Sequence, residues 1–139
     1  MRTIGRIAVC GALLLAGIAG YAQEAKKQAA QEAAKAWLAL VDAGKYAESW
    51  EEAASLFKDA VPKAKWEAMV AAGRKPLGEV KSRHLSSARY TTEMPGAPDG
   101  EYVVLQYRAS FANKKSATET VTPMLDKDGR WRVSGYFIR

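Results

Sequence analysis

Twenty-one lysines and arginines stand against fifteen aspartates and glutamates along 139 residues, a formal net charge of +6. A cation excess this small and this evenly spread is no nucleic-acid footprint, and the length suits one domain. One histidine and one cysteine exclude a zinc or copper centre and an internal disulfide, so neither a metal nor a cofactor is expected.

The chain opens on MRTIGRIAVCGALLLAGIAGYAQE, in which Arg2 and Arg6 precede a Gly/Ala/Leu-rich run and no acid appears before Glu24. A basic end followed by a short apolar segment is the pattern of a secretory signal, with Gly20-Tyr21-Ala22 as the cleavage site. Residues 1–22 are therefore read as a signal peptide cut after Ala22, and 23–139 as a single domain, periplasmic or secreted. The apolar run from Ile7 to Gly20 is too short to span a bilayer, so no transmembrane segment is expected after signal removal. Cys10 lies inside that run, too early for a lipid-modified cysteine, and leaves with the signal.

Residues 24–43 are rich in helix formers, and Ala30, Ala33, Trp37, Leu40 and Val41 recur on one face. Gly44 is the expected left-handed stop. A second helix is expected over 45–58, with Tyr46, Trp50, Ala53 and Phe57 aligned, and a third from Pro62 through Trp66, Met69 and Val70 to Gly73. The stretch RKPLGE breaks it.

From Glu79 the period becomes alternating, and four strands are predicted at about 79–93, 100–112, 116–125 and 130–138. The turn-forming loops MPGAPDG, NKKS and DKDG between them are too short for crossovers, so the strands form an antiparallel meander. The fold class is α+β: three N-terminal helices packed on one face of a curved four-stranded sheet.

Taking Lys114 and Lys115 as a hairpin tip places Tyr107 opposite Thr122, Leu105 opposite Met124 and Phe111 opposite Thr118. Pairing Leu125 with Arg130 sets Met124 beside Trp131 and Thr122 beside Val133. The expected buried face then holds Val103, Leu105, Tyr107, Phe111, Met124, Trp131, Val133 and Phe137. The polar face holds Gln106, Arg108, Ser110, Glu119, Arg132, Ser134 and Tyr136. Pro123 cannot donate to a ladder, so a bulge is expected there, and a one-residue slip would invert both faces.

The segments WLALVDAGKYAESW (37–50), RKPLGEVKSR (74–83), YTTEMPGAPDGEY (90–102), FANKKSATETVTPM (111–124) and WRVSGYFIR (131–139) carry a resemblance. Through them the chain resembles domain of unknown function 4019, whose members this resemblance implies to be secreted or periplasmic bacterial proteins of unassigned activity. The order of helices then curved sheet is also similar to the cystatin-like or nuclear-transport-factor-like roll, in which a bent sheet wraps helices, with or without a cavity between them; fold alone implies no function.

Chemistry is sparse. His84 beside Ser86 and Ser87 has no sharp turn to expose a nucleophile, and DKDG lacks the later bidentate acid of a calcium loop. No catalytic residue is assigned. The candidate binding residues are Arg108, Glu119, Arg132 and Tyr136 on the polar face, where two guanidiniums around one carboxylate suit an anionic partner, with ordinary cross-strand ion pairing as the plain alternative. Tyr107 and Trp66 join them as walls of an apolar pocket, the alternative being solid core. The function expected is a non-catalytic module binding an anionic envelope component or a partner protein. The alternative is a small isomerase- or hydrolase-like enzyme using a cavity between helices and sheet.

Overall fold

The computed structural model describes residues 11–139, with side chains from residue 17 onward. Arg2, Arg6 and Cys10 of the expected signal lie outside the described residues. Helix α1 spans Gly11–Asp42. Its stretch from Gly17 to Ala25 is exposed, whereas Ala30, Ala34, Trp37, Leu38 and Val41 form a buried stripe at three- and four-residue steps. The helix ends where Gly44 takes φ +74°. The Gly44 N–H then bonds the Val41 carbonyl and the Lys45 N–H that of Leu40, the paired bonds of a Schellman stop.

The helix expected over 45–58 is two short ones, α2 (Tyr46–Glu51) and α3 (Ser55–Ala60). The break has a local cause. Ala53 and Ala54 are fully buried, and the Ala54 N–H bonds the Val133 carbonyl of the sheet at 2.8 Å instead of continuing a helical ladder. Helix α4 covers Lys63–Arg74 behind Pro62, and a 3-10 turn over Lys75–Leu77 follows.

Strands β1 (Val80–Thr91), β2 (Tyr102–Phe111), β3 (Lys114–Leu125) and β4 (Trp131–Ile138) pair in chain order as an open antiparallel meander. The helices pack on one face of it, so the class is α+β. Trp37, Leu38 and Val41 of α1 and Trp66 and Val70 of α4 meet Val103, Leu105, Tyr107, Val121 and Val133 of the sheet in the core. The last strand is held to its end: Arg139 and Thr118 exchange both backbone bonds.

The register between β2 and β3 corrects the expected one. The turn is Ala112-Asn113, not Lys114-Lys115, so Tyr107 pairs with Glu119 and Leu105 with Val121. Three anchors fix this tip against the 3-10 turn. Ala112 N–H bonds Glu79 O, Asn113 N–H bonds Leu77 O, and the Asn113 amide reaches Pro76 O at 3.0 Å. A shift of three residues is odd, so β3 turns over relative to expectation: Glu119 enters the helix-facing side and Met124 leaves it, level with Tyr102 and Arg132.

The bulge expected at Pro123 is present, between the pairs Thr122–Gly135 and Pro123–Val133. It leaves Ser134 unmatched and inverts the rest of β4. Trp131 and Val133 face the helices as expected, but Tyr136 replaces Phe137 there, and Phe137 is 49% exposed.

Candidate functional site

The inverted half-sheet brings a set of charges into the interior. Asp42 is the last residue of α1, where a carboxylate opposes the helix dipole; Arg74 is the last of α4, where a guanidinium suits it. Arg83 comes from β1, opposite Ala109 and so on the helix-facing side, and Glu119 and Tyr136 complete the group from β3 and β4.

Arg83 lies between two carboxylates. Its Nε and Nη2 bond Glu119 Oε1 and Oε2 at 2.6 and 3.2 Å, and its Nη1 and Nη2 bond Asp42 Oδ2 and Oδ1 at 2.7 and 2.9 Å. Arg74 Nη2 bonds Asp42 Oδ1 at 2.8 Å, and Nη1 reaches the Tyr136 hydroxyl at 3.4 Å. Tyr136 donates in turn to Glu119 Oε2. Every carboxylate oxygen of the cluster has a donor, and two positive groups balance two negative ones. Arg74 Nε is buried without a partner, and its guanidinium stacks 4.9 Å above the Phe111 ring.

Burial opposes ionisation of Asp42, but bonds from Arg83 and Arg74 outweigh it and hold the carboxyl below its ordinary range. Burial likewise opposes the charge on Arg83, and Asp42 and Glu119 overcome it, so that its pKa is raised. Burial, then the charge of Glu119, push the Tyr136 phenol far up. Tyr136 is therefore a permanent donor and no base. Tyr136→Phe should keep its ring against Trp37, 5.3 Å away edge-on, and lose the hydroxyl's bond to Glu119 together with its long contact from Arg74. The expected loss is about 1.5–3 kcal/mol of unfolding free energy by urea denaturation.

Of the candidates read from the sequence, Glu119, Tyr136 and Tyr107 meet on the helix-facing side. Arg108 and Arg132 do not join them. Arg108 sits on the outer face opposite His84 and Thr118, exposed. Arg132 clamps the last turn, with Asp128 at 2.6 and 2.7 Å and Asp126 at 3.3 Å. The expected trio of Arg108, Glu119 and Arg132 fails because the slip separates Glu119 from both. Arg83, Arg74 and Asp42 take their place. Sequence spacing did not mark Asp42, although an acid directly before a helix stop was a usable signal.

Trp66 is buried core. Its indole N–H bonds Ser49 Oγ at 2.9 Å, that of Trp37 bonds Ser49 O at 2.8 Å, and Trp66 packs between Trp37 and Phe57. Its outer edge borders an open groove of about 360 Å³ between α4 and β4, within the size range of small-molecule sites. Apolar walls come from Met69, Val70, Leu77, Phe137 and Ile138, and Arg74, Lys114 and Arg139 supply cations. No acidic side chain lines it. A smaller recess of about 350 Å³ opens between Lys35 of α1 and the pair Arg83 and Tyr107. Among the described residues no group of three or more His, Cys, Asp or Glu could hold a metal ion.

Residues 33–136 match the family model described as protein of unknown function DUF4019. The chain belongs to that family. Neither a curated protein nor a solved structure matches it. For this DUF4019 chain the matched span takes in Asp42, Arg74, Arg83, Glu119 and Tyr136, the whole buried cluster.

Proposed function

We propose that this DUF4019 protein is a non-catalytic, secreted or periplasmic binding module whose ligand site is the groove between α4 and β4. The observation that carries the reading is the groove's lining: an apolar floor with no acidic side chain and two cations at its edge, Lys114 and Arg139, that make no ion pair among the described residues, the charge of Arg74 being taken by Asp42. Such a site takes a ligand with an apolar body and an anionic head. The export reading rests on the first 22 residues. Cleavage after Ala22 removes no buried side chain among the described residues, because Gly17 to Ala25 are exposed.

The enzyme alternative has a weaker basis. Tyr107 and Arg83 border a recess, but both carboxylates beside it are fully occupied by Arg83, Arg74 and Tyr136. The one other carboxylate, Glu32 in the lining itself, is exposed on α1, and among the described residues it has no partner to orient it for proton transfer.

Fluorescence titration with 8-anilinonaphthalene-1-sulfonate, an apolar anion, tests the groove. Saturable binding that octanoate displaces is expected, weakening with salt. Met69→Glu places a carboxylate on a wall residue that is already 53% exposed, so affinity should fall about tenfold at unchanged melting temperature. Equal affinity in that variant, or no saturable binding by the protein, overturns the reading.

A further inference from the structure

Four successive residues, Tyr136 to Arg139, all border the groove. Side chains on a strand alternate between faces, so a recess touching four in a row runs along the strand's edge and not over one face. The edge is that of β4, one of the sheet's two outermost strands.

Hydrogen bonding says which groups that edge presents. Arg139 and Thr118 exchange both backbone bonds, at 2.9 and 3.0 Å, which makes them a narrow antiparallel pair. Two residues back, Phe137 and Thr120 are the next such pair. The intervening Ile138 and the preceding Tyr136 therefore aim their N–H and C=O groups away from β3, into the groove. Among the described residues nothing outside the sheet takes these groups. The other end of β4 differs, since the Val133 carbonyl there is occupied by the Ala54 N–H. The strand is sealed by helices at one end and bare at the other.

Natural sheets blunt such edges with lysine, proline or a covering loop. Here the bare run is Tyr-Phe-Ile, with Phe137 half exposed. The facing wall is a stripe of α4, Trp66, Met69, Val70 and Gly73. A Cβ at Gly73 would meet nothing within 4 Å, so the wall stands back from the strand. Lys114 and Arg139 make no ion pair among the described residues.

We propose that the edge of β4 at Tyr136–Ile138 is a strand-addition site for an extended peptide alternating apolar and acidic residues. It pairs with the outward groups of Tyr136 and Ile138, lays apolar side chains on α4, and meets Lys114 and Arg139 with its acids. The proposal rests on the groove being the binding site and names its occupant. A second copy of the chain is the poorer occupant, because two β4 edges brought together would oppose the same cations.

The test is fluorescence anisotropy on the protein with a labelled octapeptide alternating valine and glutamate. Saturable binding is expected, at least tenfold weaker for a valine–lysine peptide. Methylating alternate peptide nitrogens removes donors without changing side chains and should also weaken binding at least tenfold. Ile138→Pro removes one outward N–H, at an edge position that tolerates proline, and should do the same. Equal binding of the methylated peptide to the unaltered protein overturns strand addition, whatever the fate of the proline variant. Binding of 8-anilinonaphthalene-1-sulfonate without the peptide overturns it and leaves the groove reading standing; failure of both ligands overturns both. A dimer in sedimentation that Ile138→Pro dissolves assigns the edge to a second copy and overturns the peptide.

Discussion

Glu119→Ala is expected to lower the unfolding free energy by about 3–5 kcal/mol, because it leaves Arg83 buried with half its partners gone. In a domain of this size that corresponds to a fall of roughly 10–20 °C in melting temperature. Glu119 is 0% exposed, so its charge lies wholly out of solvent and is held by its protein partners. Its loss removes acceptors for Arg83 Nε and Nη2 and for the Tyr136 hydroxyl together. Calorimetry checks the fall. The double variant Arg83→Met/Glu119→Leu should be more stable than Glu119→Ala alone, since replacing both charges leaves neither stranded. A double variant as unstable as the sum of two single losses would show that the pair is not the unit of stabilisation.

Acidification should unfold the protein through the other carboxylate. Asp42 has its folded pKa held below the ordinary value of 3.8, so its contribution is complete above that value. It is lost as pH falls from there through the lowered folded pKa. Protonated, Asp42 leaves two guanidiniums against Glu119 alone. Urea midpoints between pH 5 and pH 2 should therefore drop steeply in the unaltered protein. Asp42→Asn should start lower at pH 5 and follow a shallower slope, although Asp126, Asp128 and Glu101, also shifted down by their partners, continue to contribute. Parallel slopes would remove Asp42 from the account.

Helix and strand periods were legible because each is written in neighbouring residues: the stripe through Trp37 and Val41, the alternation from Val103 to Phe111, the stop at Gly44. The hairpin tip was not. NKKS offers two adjacent places to turn, and the choice is made by Pro76, Leu77 and Glu79, which hold Ala112 and Asn113 from more than thirty positions away. That one decision moved Glu119 from solvent to core. Pro123 announced its bulge through the missing N–H, but only the pairing partner shows that the extra residue lies on β4, at Ser134, which turns Tyr136 inward. The cluster stayed hidden for the same reason, since Arg83 reaches across 41 positions to Asp42 and 36 to Glu119, and no local pattern records such pairings.

The two-residue tip at Ala112-Asn113 has a consequence for how the chain finds its shape. Neighbouring strands zip readily, because each partner is next in line along the backbone. Closing that hairpin one step early or late would swing Glu119 to the wet side and offer Arg83 a threonine, Thr118 or Thr120, as its counterpart. Arg83 would then keep Asp42 alone, and a largely buried cation short of half its acceptors costs more than a lost strand contact. The interior acid thus acts as a proofreader of alignment, rejecting mismatched sheets that apolar side chains alone would tolerate.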